Sequence, residues 1–537
     1  MVMSVGTKTQ FGSGTGAAAT GGTNHWLIAV IVSVATFMEV LDTTIANVAL
    51  RYISGGLAIG PSQAAWVVTS YLVANSIALC ASSWLSGAFG RRNFFLTCIA
   101  SFTVCSILCG FAQDLTSLLI FRVLQGLAGG GMTPVAQSIL ADAFPPNKRS
   151  QAFAIYGVAV VVAPVVGPVL GGWLSDNWSW NWCFFINGPV GVASLVAVYF
   201  LIEDKKTDQE ERRKMWAKGL NFDLVGFLLV ATFLGALEVV LDKGQEDDWF
   251  GSSFIVTFAS ISASALVLFI PWALMKRNPI IDVRMLAGRQ FGACFVVMLG
   301  VGAILIATTQ MLPQLLQENY GYTATLSGLA LSPGGIVTMV MMIVVGRLNF
   351  VQPKYLIAAG GAFVAYGMYY LTSLYGDTDF GYFVWSRMIV GVGLPLMFVP
   401  ITTASYDGIP PAKTNQASAL INLARNFGGS IGVSISQTVL ARREQFHQSR
   451  LAEQVGAWNP EYHQTINSAQ SYFAGQPSTG GSPSQTGIAW IGQTVAQQAS
   501  FLSYIDVFVV LGVIAAFIVP LALTLRSVTV GKKQAVT

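Results

Sequence analysis

Charged residues are scarce in this chain of 537 amino acids: Asp, Glu, Lys and Arg together make up only 10% of the sequence. A water-soluble domain carries about 25% charged residues, so most side chains here must face something other than water. Apolar residues make up 53% of the chain, and its mean hydropathy is +0.60. The composition excludes an ordinary soluble domain and indicates an all-α protein embedded in a lipid bilayer.

Residues for metal or nucleophilic chemistry are also few. The three histidines all fall outside the long apolar segments, and the six cysteines all fall inside them. We therefore expect no disulfide framework and no metal cluster. The glycine run 129–131 lies in an apolar segment with no Lys-Ser/Thr after it, so it is not a phosphate-binding loop. These absences disfavour an enzyme and an ATP-driven pump, and a net charge of +4 is too small for nucleic-acid binding.

Fourteen apolar segments are long enough to cross the roughly 30 Å of bilayer hydrocarbon as helices. Most Lys and Arg residues fall in alternate loops, together with both termini, which predicts cytoplasmic N- and C-termini. The predicted spans are 26–48, 64–85, 94–112, 115–140, 152–174, 182–202, 222–241, 254–274, 291–315, 325–345, 355–375, 380–402, 416–440 and 503–523.

An internal repeat relates the two halves of the chain. Arg122-x-x-x-Gly126 recurs as Arg387-x-x-x-Gly391, and the same spacing of 265 residues aligns 145–154 with 410–419. A shift of eight spans preserves orientation, so we predict a parallel repeat of two six-helix bundles with two inserted helices. The predicted units are a disordered tail 1–25, a first bundle 26–202, a basic loop 203–220, two extra helices within 221–275, a second bundle 290–523 that includes a long outer loop 442–502, and a tail 524–537.

Five charged residues lie well inside predicted spans, away from the span ends: Glu39, Asp42, Arg122, Arg387 and Arg425. Each costs about 2.5 to 3.5 kcal/mol of insertion free energy, which makes it a functional hypothesis by default. Glu39 and Asp42 share one helical face. Because carboxyl groups near an arginine can gain or lose a proton as their surroundings change, we interpret Asp42, Glu39 and Arg122 as a proton-binding element. The alternative is a fixed Asp42–Arg122 ion pair, with Arg387 as a repeat of the same scaffold.

The fifth span is unusual in carrying two prolines among regularly spaced glycines. The prolines remove backbone donors and favour a kink, and the glycines permit close approach of another helix. The second repeat lacks the prolines, which favours a specific role over helix packing alone. The candidates for coupling or packing across the chain are Asn47, Gln125, Gly126, Pro164, Gly167, Pro168, Gly171, Gly172 and Arg425.

Three motifs resemble those of the major facilitator superfamily, and within it the fourteen-span drug:proton antiporters. They are LDTTIANVAL at 41–50, RVLQGLAG at 122–129 and APVVGPVLGG at 163–172. Within that group, PQLLQENYGYTAT at 313–325, LDKG at 241–244 and the long outer loop before the last span resemble EmrB-type pumps. The resemblance implies a multi-pass protein of the bacterial inner membrane that works with a periplasmic adaptor protein and an outer-membrane channel. One departure is Gly87, which stands where the superfamily's loop motif normally has Asp, so cytoplasmic gating must use another group.

The resulting hypothesis is proton-driven export of amphipathic toxic compounds, with protons as the coupling ion and no other cofactor. Substrate would meet apolar and aromatic side chains of a central cavity, and the candidates by location in the spans are Phe37, Met38, Trp66, Asn75, Gln137, Gln310 and Gln314. Two alternatives stay open, because a fold does not fix a function. The same fold suits a proton-coupled or passive facilitator of a small metabolite, and the segment 442–500 suits a membrane receptor or adaptor-binding protein.

Overall fold

The computed structural model describes residues 25–202, 209, 212–213, 216–217, 222–277, 279–348, 350–410, 413–456, 458–474 and 482–526. Within these ranges the chain forms helices and connecting turns, with no β-strand. The predicted tail 1–25, except for its last residue, and most of the predicted basic loop lie outside the described residues.

Eight helices build the first half of the chain. They are α1 (His25–Gly56), α2 (Pro61–Phe89), α3 (Arg91–Gly110), α4 (Leu115–Gly129), α5 (Met132–Ala143), α6 (Pro146–Asn177), α7 (Trp182–Phe185) and α8 (Asn187–Leu201). Two predicted spans are thus interrupted. The fourth is divided into α4 and α5 at Gly130 and Gly131, and the sixth into α7 and α8.

The remainder of the chain adds nine helices among the described residues. They are α9 (Leu224–Lys243), α10 (Ser253–Met275), α11 (Arg289–Glu318), α12 (Ala324–Arg347), α13 (Pro353–Tyr370), α14 (Phe380–Ala404), α15 (Thr414–Gln454), α16 (Pro460–Ala474) and α17 (Pro483–Leu523). Short 3₁₀ turns precede α10 and α11 and follow α13.

Thirteen helical segments in the described part of the chain are long and apolar enough to cross a membrane. The predicted span 416–440 is helical within α15 but is not among the thirteen. It carries polar residues such as Asn422 and Arg425, and both side chains are buried inside the protein. α15 nevertheless packs along α11, because Gly428 and Gly432 bring its backbone against that helix. A span that turns polar groups inward and glycines toward a neighbour does not need high hydropathy.

The glycines of α6 lie where the two halves of the chain meet. A Cβ at Gly167 would overlap Thr44 of α1, and one at Gly171 would lie 3.3 Å from the Ile45 backbone. On the other side, α6 packs against α12, where a Cβ at Gly335 would lie 2.9 Å from Val165. α6 therefore holds α1 and α12 at short distance, as its small residues predict. Pro164 and Pro168 lie inside this helix, and Gly172 is buried on it.

The inserted helix α9 packs against helices of both halves, as well as against α10. Gly235 lets it approach Val73 and Ile77 of α2. On α15, Ser430 donates a hydrogen bond to Glu238. The first of the two inserted helices therefore reaches the region between the two bundles.

The predicted outer loop 442–502 is largely helical where the structure describes it. α15 continues to Gln454, α16 follows, and α17 begins at Pro483. Arg443 and His447 of α15 both contact Asp506 of α17, at 2.5 and 2.8 Å. These polar contacts join the two long helices where they leave the apolar part of the protein, so the helices continue where the sequence predicted a loop.

Candidate functional site

Asp42 of α1 and Arg122 of α4 form a buried ion pair. Arg122 Nη1 donates to Asp42 Oδ2 at 2.7 Å, and the two side chains are 0% and 1% exposed for Arg122 and Asp42 respectively. Two amides complete the surroundings of the carboxylate: Gln125 Nε2 donates to Oδ1 at 2.9 Å and Asn187 Nδ2 donates to the same oxygen at 2.7 Å. The carboxylate is therefore held by three side chains from two helices.

The guanidinium of Arg122 is positioned by further contacts. Its Nε donates to the Val67 carbonyl of α2 at 3.0 Å, and its Nη1 also donates to Gln125 Oε1 at 2.8 Å. The ring of Tyr71 lies 4.2 Å from the guanidinium carbon, in a cation–π contact. α4 can approach α2 this closely because a Cβ at Gly126 would lie 2.5 Å from the Tyr71 carbonyl oxygen. The predicted proton-coupling residues Asp42 and Arg122 are thus brought together.

Glu39 has different surroundings, although it lies only one helical turn from Asp42. It accepts hydrogen bonds from Thr133 of α5 at 2.5 Å and from Asn75 of α2 at 3.3 Å. The cation that interacts with it electrostatically is Arg425 of α15, in the other half of the chain. Unlike Asp42, Glu39 lies at the wall of a cavity.

This central cavity has a volume of about 200 Å³ and is lined by six helices. α1, α2 and α6 come from the first half, α11 and α15 from the second, and α9 from the insertion. Its lining residues lie toward the helix ends that the sequence predicts to be on the outer side. Five residues singled out by sequence line it: Glu39, Asn47, Asn75, Gln310 and Arg425.

The other predicted substrate-binding residues do not line this cavity. Met38 is buried, and Phe37 packs in an apolar cluster around α1. The Trp66 ring lies 5.6 Å from the Lys243 ammonium group. Gln314 hydrogen-bonds Gln437 and Glu318, and only Gln437 of these three reaches the cavity.

Gln137 takes part in a contact between the two halves. Asn422 of α15 donates to Gln137 Oε1 at 2.8 Å, and the Tyr406 hydroxyl donates to the same atom at 3.4 Å. The Tyr406 ring stacks on Phe153 of α6 at 5.4 Å. These contacts close the protein on the side of the cavity that the sequence predicts to be cytoplasmic.

Arg91, four residues after Gly87, pairs with a carboxylate on another helix. Arg91 forms an ion pair with Asp142, at the end of α5. Arg149 of α6 donates to the Ala141 carbonyl at 2.8 Å, and so holds the end of the same helix. The acidic partner that the loop motif lacks is thus supplied by α5.

Arg387, which the repeat aligns with Arg122, forms no ion pair with any residue that the structure describes. Its side chain is buried, and its Nε and Nη1 atoms have no hydrogen-bond partner among the described residues. The repeat spacing explains the difference, because it places Ala307 of α11 at the position equivalent to Asp42. The two halves therefore share an arginine but not its ion pair.

Several residues of the site were missed in the sequence. Asn187 lies in an apolar segment, and nothing in the pattern shows that α8 faces Asp42. Glu238 and Asp242 of α9 line the cavity beside Ser430 and Ser434 of α15. Glu238 could have been identified from the sequence, since it is a charged residue within the predicted span 222–241.

Many apolar spans, an internal repeat and a central cavity between the halves are typical of a membrane transporter. The family model of the Major Facilitator Superfamily matches residues 32–433. The chain belongs to this superfamily.

Curated relatives extend the match over most of the chain. It is 37% identical over 491 residues to the "Multidrug export protein EmrB" of Escherichia coli K12, covering 90% of this chain and 91% of that protein. It is 34% identical over 495 residues to the "Fatty acid resistance protein FarB" of Neisseria gonorrhoeae, covering 92% and 94%. The resemblance to EmrB-type proteins inferred from the motifs is confirmed.

Solved structures share the fold at low sequence identity. The proton:xylose symporter XylE matches with a TM-score of 0.56 and 14% identity, covering 92% of this chain and 96% of that one. The human organic anion transporter MFSD10 matches with a TM-score of 0.55 and 11% identity, covering 92% and 100%. These likenesses show the fold alone.

Proposed function

We propose that this protein is a proton-driven exporter of amphipathic drugs and other toxic compounds. The observation that carries the proposal is the pairing of a central cavity with an enclosed Asp42–Arg122 element directly behind its wall. Relatives named for multidrug export and fatty acid resistance, at 37% and 34% identity, support export of amphipathic compounds. In this proposal Asp42, Glu39 and Arg122 keep the proton-coupling roles inferred from the sequence.

Proton binding at Asp42 neutralises the carboxylate that holds Arg122. A buried ion pair is stable only while both charges are present, so losing one changes the balance of contacts on the other. Arg122 would keep its hydrogen bonds to Val67 and Gln125, whereas the contact between α1 and α4 would lose its ion pair. Protonation would thereby favour a different packing of α1 against α4.

Glu39 connects this element to the cavity. Its carboxylate reaches Asn75 of α2 and Thr133 of α5, and it lies one turn before Asp42 on the same helix. A substrate in the cavity would contact Glu39 and Asn75 directly, whereas Asp42 stays behind the wall. Substrate binding at Glu39 would thus influence proton binding at Asp42 through α1, the helix that carries both residues.

The glycine contacts of α6 with α1 and α12 provide tight packing between the halves. Small residues permit backbone approach without voids that water could fill. Rocking of the halves around the cavity would use these surfaces, in the alternating-access motion common to repeat-built transporters. The motif at 163–172 would keep protons from leaking during this motion.

The cellular setting is a further part of the proposal. We place the protein in a bacterial inner membrane, as the inner-membrane component of a tripartite pump with a periplasmic adaptor and an outer-membrane channel. The helical segments beyond the apolar core, 442–454 and 460–474, offer polar surface for an adaptor. Replacing residues 455–482 by a short Gly/Ser linker should abolish co-purification with a co-expressed adaptor and leave proton-coupled flux intact.

The decisive experiment measures proton movement on addition of neutral and charged amphipathic compounds to proteoliposomes containing the purified protein and a pH-sensitive dye. Compound-dependent proton movement, with compound flux that follows an imposed pH gradient, is expected. Flux of a small metabolite that is indifferent to the pH gradient would instead favour a passive facilitator. No proton movement with any compound would overturn the proposal.

A further inference from the structure

The inserted helix α9 forms part of the central cavity. Its contact with α2 is made by Gly235 and by a hydrogen bond from the Thr69 hydroxyl to Asp242. Its contact with α15 is the hydrogen bond from Ser430 Oγ to Glu238 Oε1. An insertion that separates the two repeats in sequence therefore joins them in space, at the site where substrate would bind.

One face of α9 is turned toward the cavity. Glu238, Leu241 and Asp242 line it at the spacing of neighbours on a single helical face, and Gln245 lines it from the turn that follows α9. This face carries two carboxyl groups, and α1 contributes a third, Glu39. A cavity that receives acidic groups from two independent helices is suited to a positively charged guest.

Glu238 has more free acceptor capacity than the carboxylate of the coupling element. It is 2% exposed, accepts a hydrogen bond from Ser430, and forms no ion pair in the described part of the chain. A carboxylate offers about four acceptor positions. Asp42, by contrast, is already held by Arg122, Gln125 and Asn187. A cation bound in the cavity would therefore give the Glu238 carboxylate an ion-pair partner.

A second polar group at the same wall is also without a partner. Ser434 lies one turn beyond Ser430 on α15 and lines the cavity, and its side chain is 4% exposed. Its hydroxyl has no hydrogen-bond partner within the residues that the structure describes. Buried polar groups are normally paired, so this hydroxyl at the cavity wall is available to bond a molecule bound there.

The remaining lining suits the apolar body of such a guest. Val160, Leu305 and Ile306 line the cavity from α6 and α11. Arg425 lies at the wall too, and its charge would repel a cation from that part of the cavity. Charge and hydrophobicity together therefore give the cavity a preferred orientation for an amphipathic cation.

We propose that Glu238 binds the positively charged group of cationic substrates, assisted by Asp242 and the Ser434 hydroxyl. The inserted helix α9 then determines how strongly the transporter prefers a cation over a neutral compound of the same shape. This inference rests on the proposed export of amphipathic compounds, because it assigns a subsite of that cavity. It does not depend on proton coupling at Asp42.

The test compares two probes of nearly equal size and different charge, methyltriphenylphosphonium and triphenylphosphine oxide. Equilibrium binding of each is measured on the purified full-length protein in detergent, without a pH gradient. The variants are Glu238→Gln, which keeps the shape, and Glu238→Asp, which keeps the charge. Glu246→Gln serves as the matched control, because Glu246 lies just beyond α9, pairs with Lys243 and does not line the cavity.

Glu238→Gln should weaken methyltriphenylphosphonium binding about tenfold or more and change binding of the oxide less than about twofold. Glu238→Asp and the Glu246→Gln control should keep the preference for the cation. Equally weakened binding of both probes would show that Glu238 has a structural role. Unchanged binding of the cation would show that Glu238 does not contribute to its binding. Either result overturns the assignment.

A second measurement uses the unmodified protein, in case the Glu238→Gln variant does not fold. A hydrophobic carbodiimide labels buried carboxyl groups, and mass spectrometry identifies the labelled peptide. Methyltriphenylphosphonium should protect Glu238 from labelling, and the oxide should not; absent or equal protection would overturn the assignment. Proton movement in proteoliposomes is scored separately, so selective binding without proton exchange would reject the proposed function alone.

Discussion

Asp42 and Arg122 are joined by a 2.7 Å ion pair that is closed off from the central cavity, whereas Glu39, three residues before Asp42, lies at the cavity wall. The two carboxylates of α1 therefore differ in what they can contact. Asp42 contacts an arginine and two amides, and Glu39 contacts an amide and a hydroxyl beside open space. In the proposed mechanism, Asp42 therefore has the coupling role and Glu39 has the substrate-facing role, although both lie on one helix.

The first prediction concerns Asp42→Asn. The amide keeps the size of the side chain but cannot carry the exchangeable proton, so compound-dependent proton movement should be abolished. The protein should still fold with a lowered melting temperature, because Arg122 keeps its bonds to Val67 and Gln125. The measurement is proton movement in proteoliposomes, with the melting temperature recorded on the same preparation.

Asp176→Asn is the matched control for that substitution. Asp176 is a carboxylate at the far end of α6 that bonds Tyr52 and does not line the cavity. Its replacement should leave compound-dependent proton movement near the wild-type level. Normal proton exchange by Asp42→Asn would reject the assignment of Asp42 as the proton carrier.

The Asp42–Arg122 pair illustrates what the sequence could predict. Charges within apolar spans are rare and costly, so a carboxylate and an arginine in separate spans indicate a contact. The repeat likewise predicted two related halves. Asn187 could not be predicted, because a neutral amide in an apolar span gives little signal and the neighbours of a helix are set by packing of the whole bundle. The same limit applies to α9, whose place beside α2 and α15 depends on contacts far apart in sequence.

Gln137 shows the opposite limit. Its position within a span suggested a substrate contact, but the structure uses it to bond Asn422 and Tyr406 between the halves. A polar residue in a span can satisfy a partner helix as readily as a ligand. The sequence indicates that such a residue is buried and hydrogen-bonded. Only the fold shows which group is its hydrogen-bond partner.

The second prediction concerns Glu39→Gln. In the proposed mechanism Glu39 assists coupling while Asp42 carries the proton, so proton movement should persist at a rate lower by about a few-fold. Because Glu39 lines the cavity, the apparent affinity for cationic compounds should fall in parallel. Initial rates of proton movement across a range of compound concentrations separate the two effects. Complete loss of proton movement would show instead that Glu39 is itself an essential carrier.

The third prediction concerns the packing of Gly167 on Thr44. A Cβ at position 167 would overlap Thr44 Oγ1, so Gly167→Ala should destabilise the protein by about 1 to 3 kcal/mol through overpacking. Thr44→Ala removes Oγ1, the nearest obstructing atom, but keeps the Thr44 Cβ at 2.7 Å, so the double variant should recover part of the loss. A double-mutant cycle on melting temperature and transport rate measures this coupling. Additive losses would show that the two residues do not restrict each other.

The fourth prediction uses the asymmetry of the repeat. Arg387 is buried, and its Nε and Nη1 have no hydrogen-bond partner in the part of the chain that the structure describes; Ala307, also buried, is at the position equivalent to Asp42. Ala307→Asp should supply the carboxylate that the second half lacks, since an unpaired buried charge is costly and an ion pair offsets that cost. Ala307→Asn is the control of equal size without charge. The aspartate variant should melt several degrees above the asparagine variant in the same detergent, because only the aspartate can neutralise the guanidinium. A melting temperature equal to or below that of Ala307→Asn would mean that position 307 does not face Arg387 as position 42 faces Arg122, and that the two halves differ in helix packing as well as in sequence.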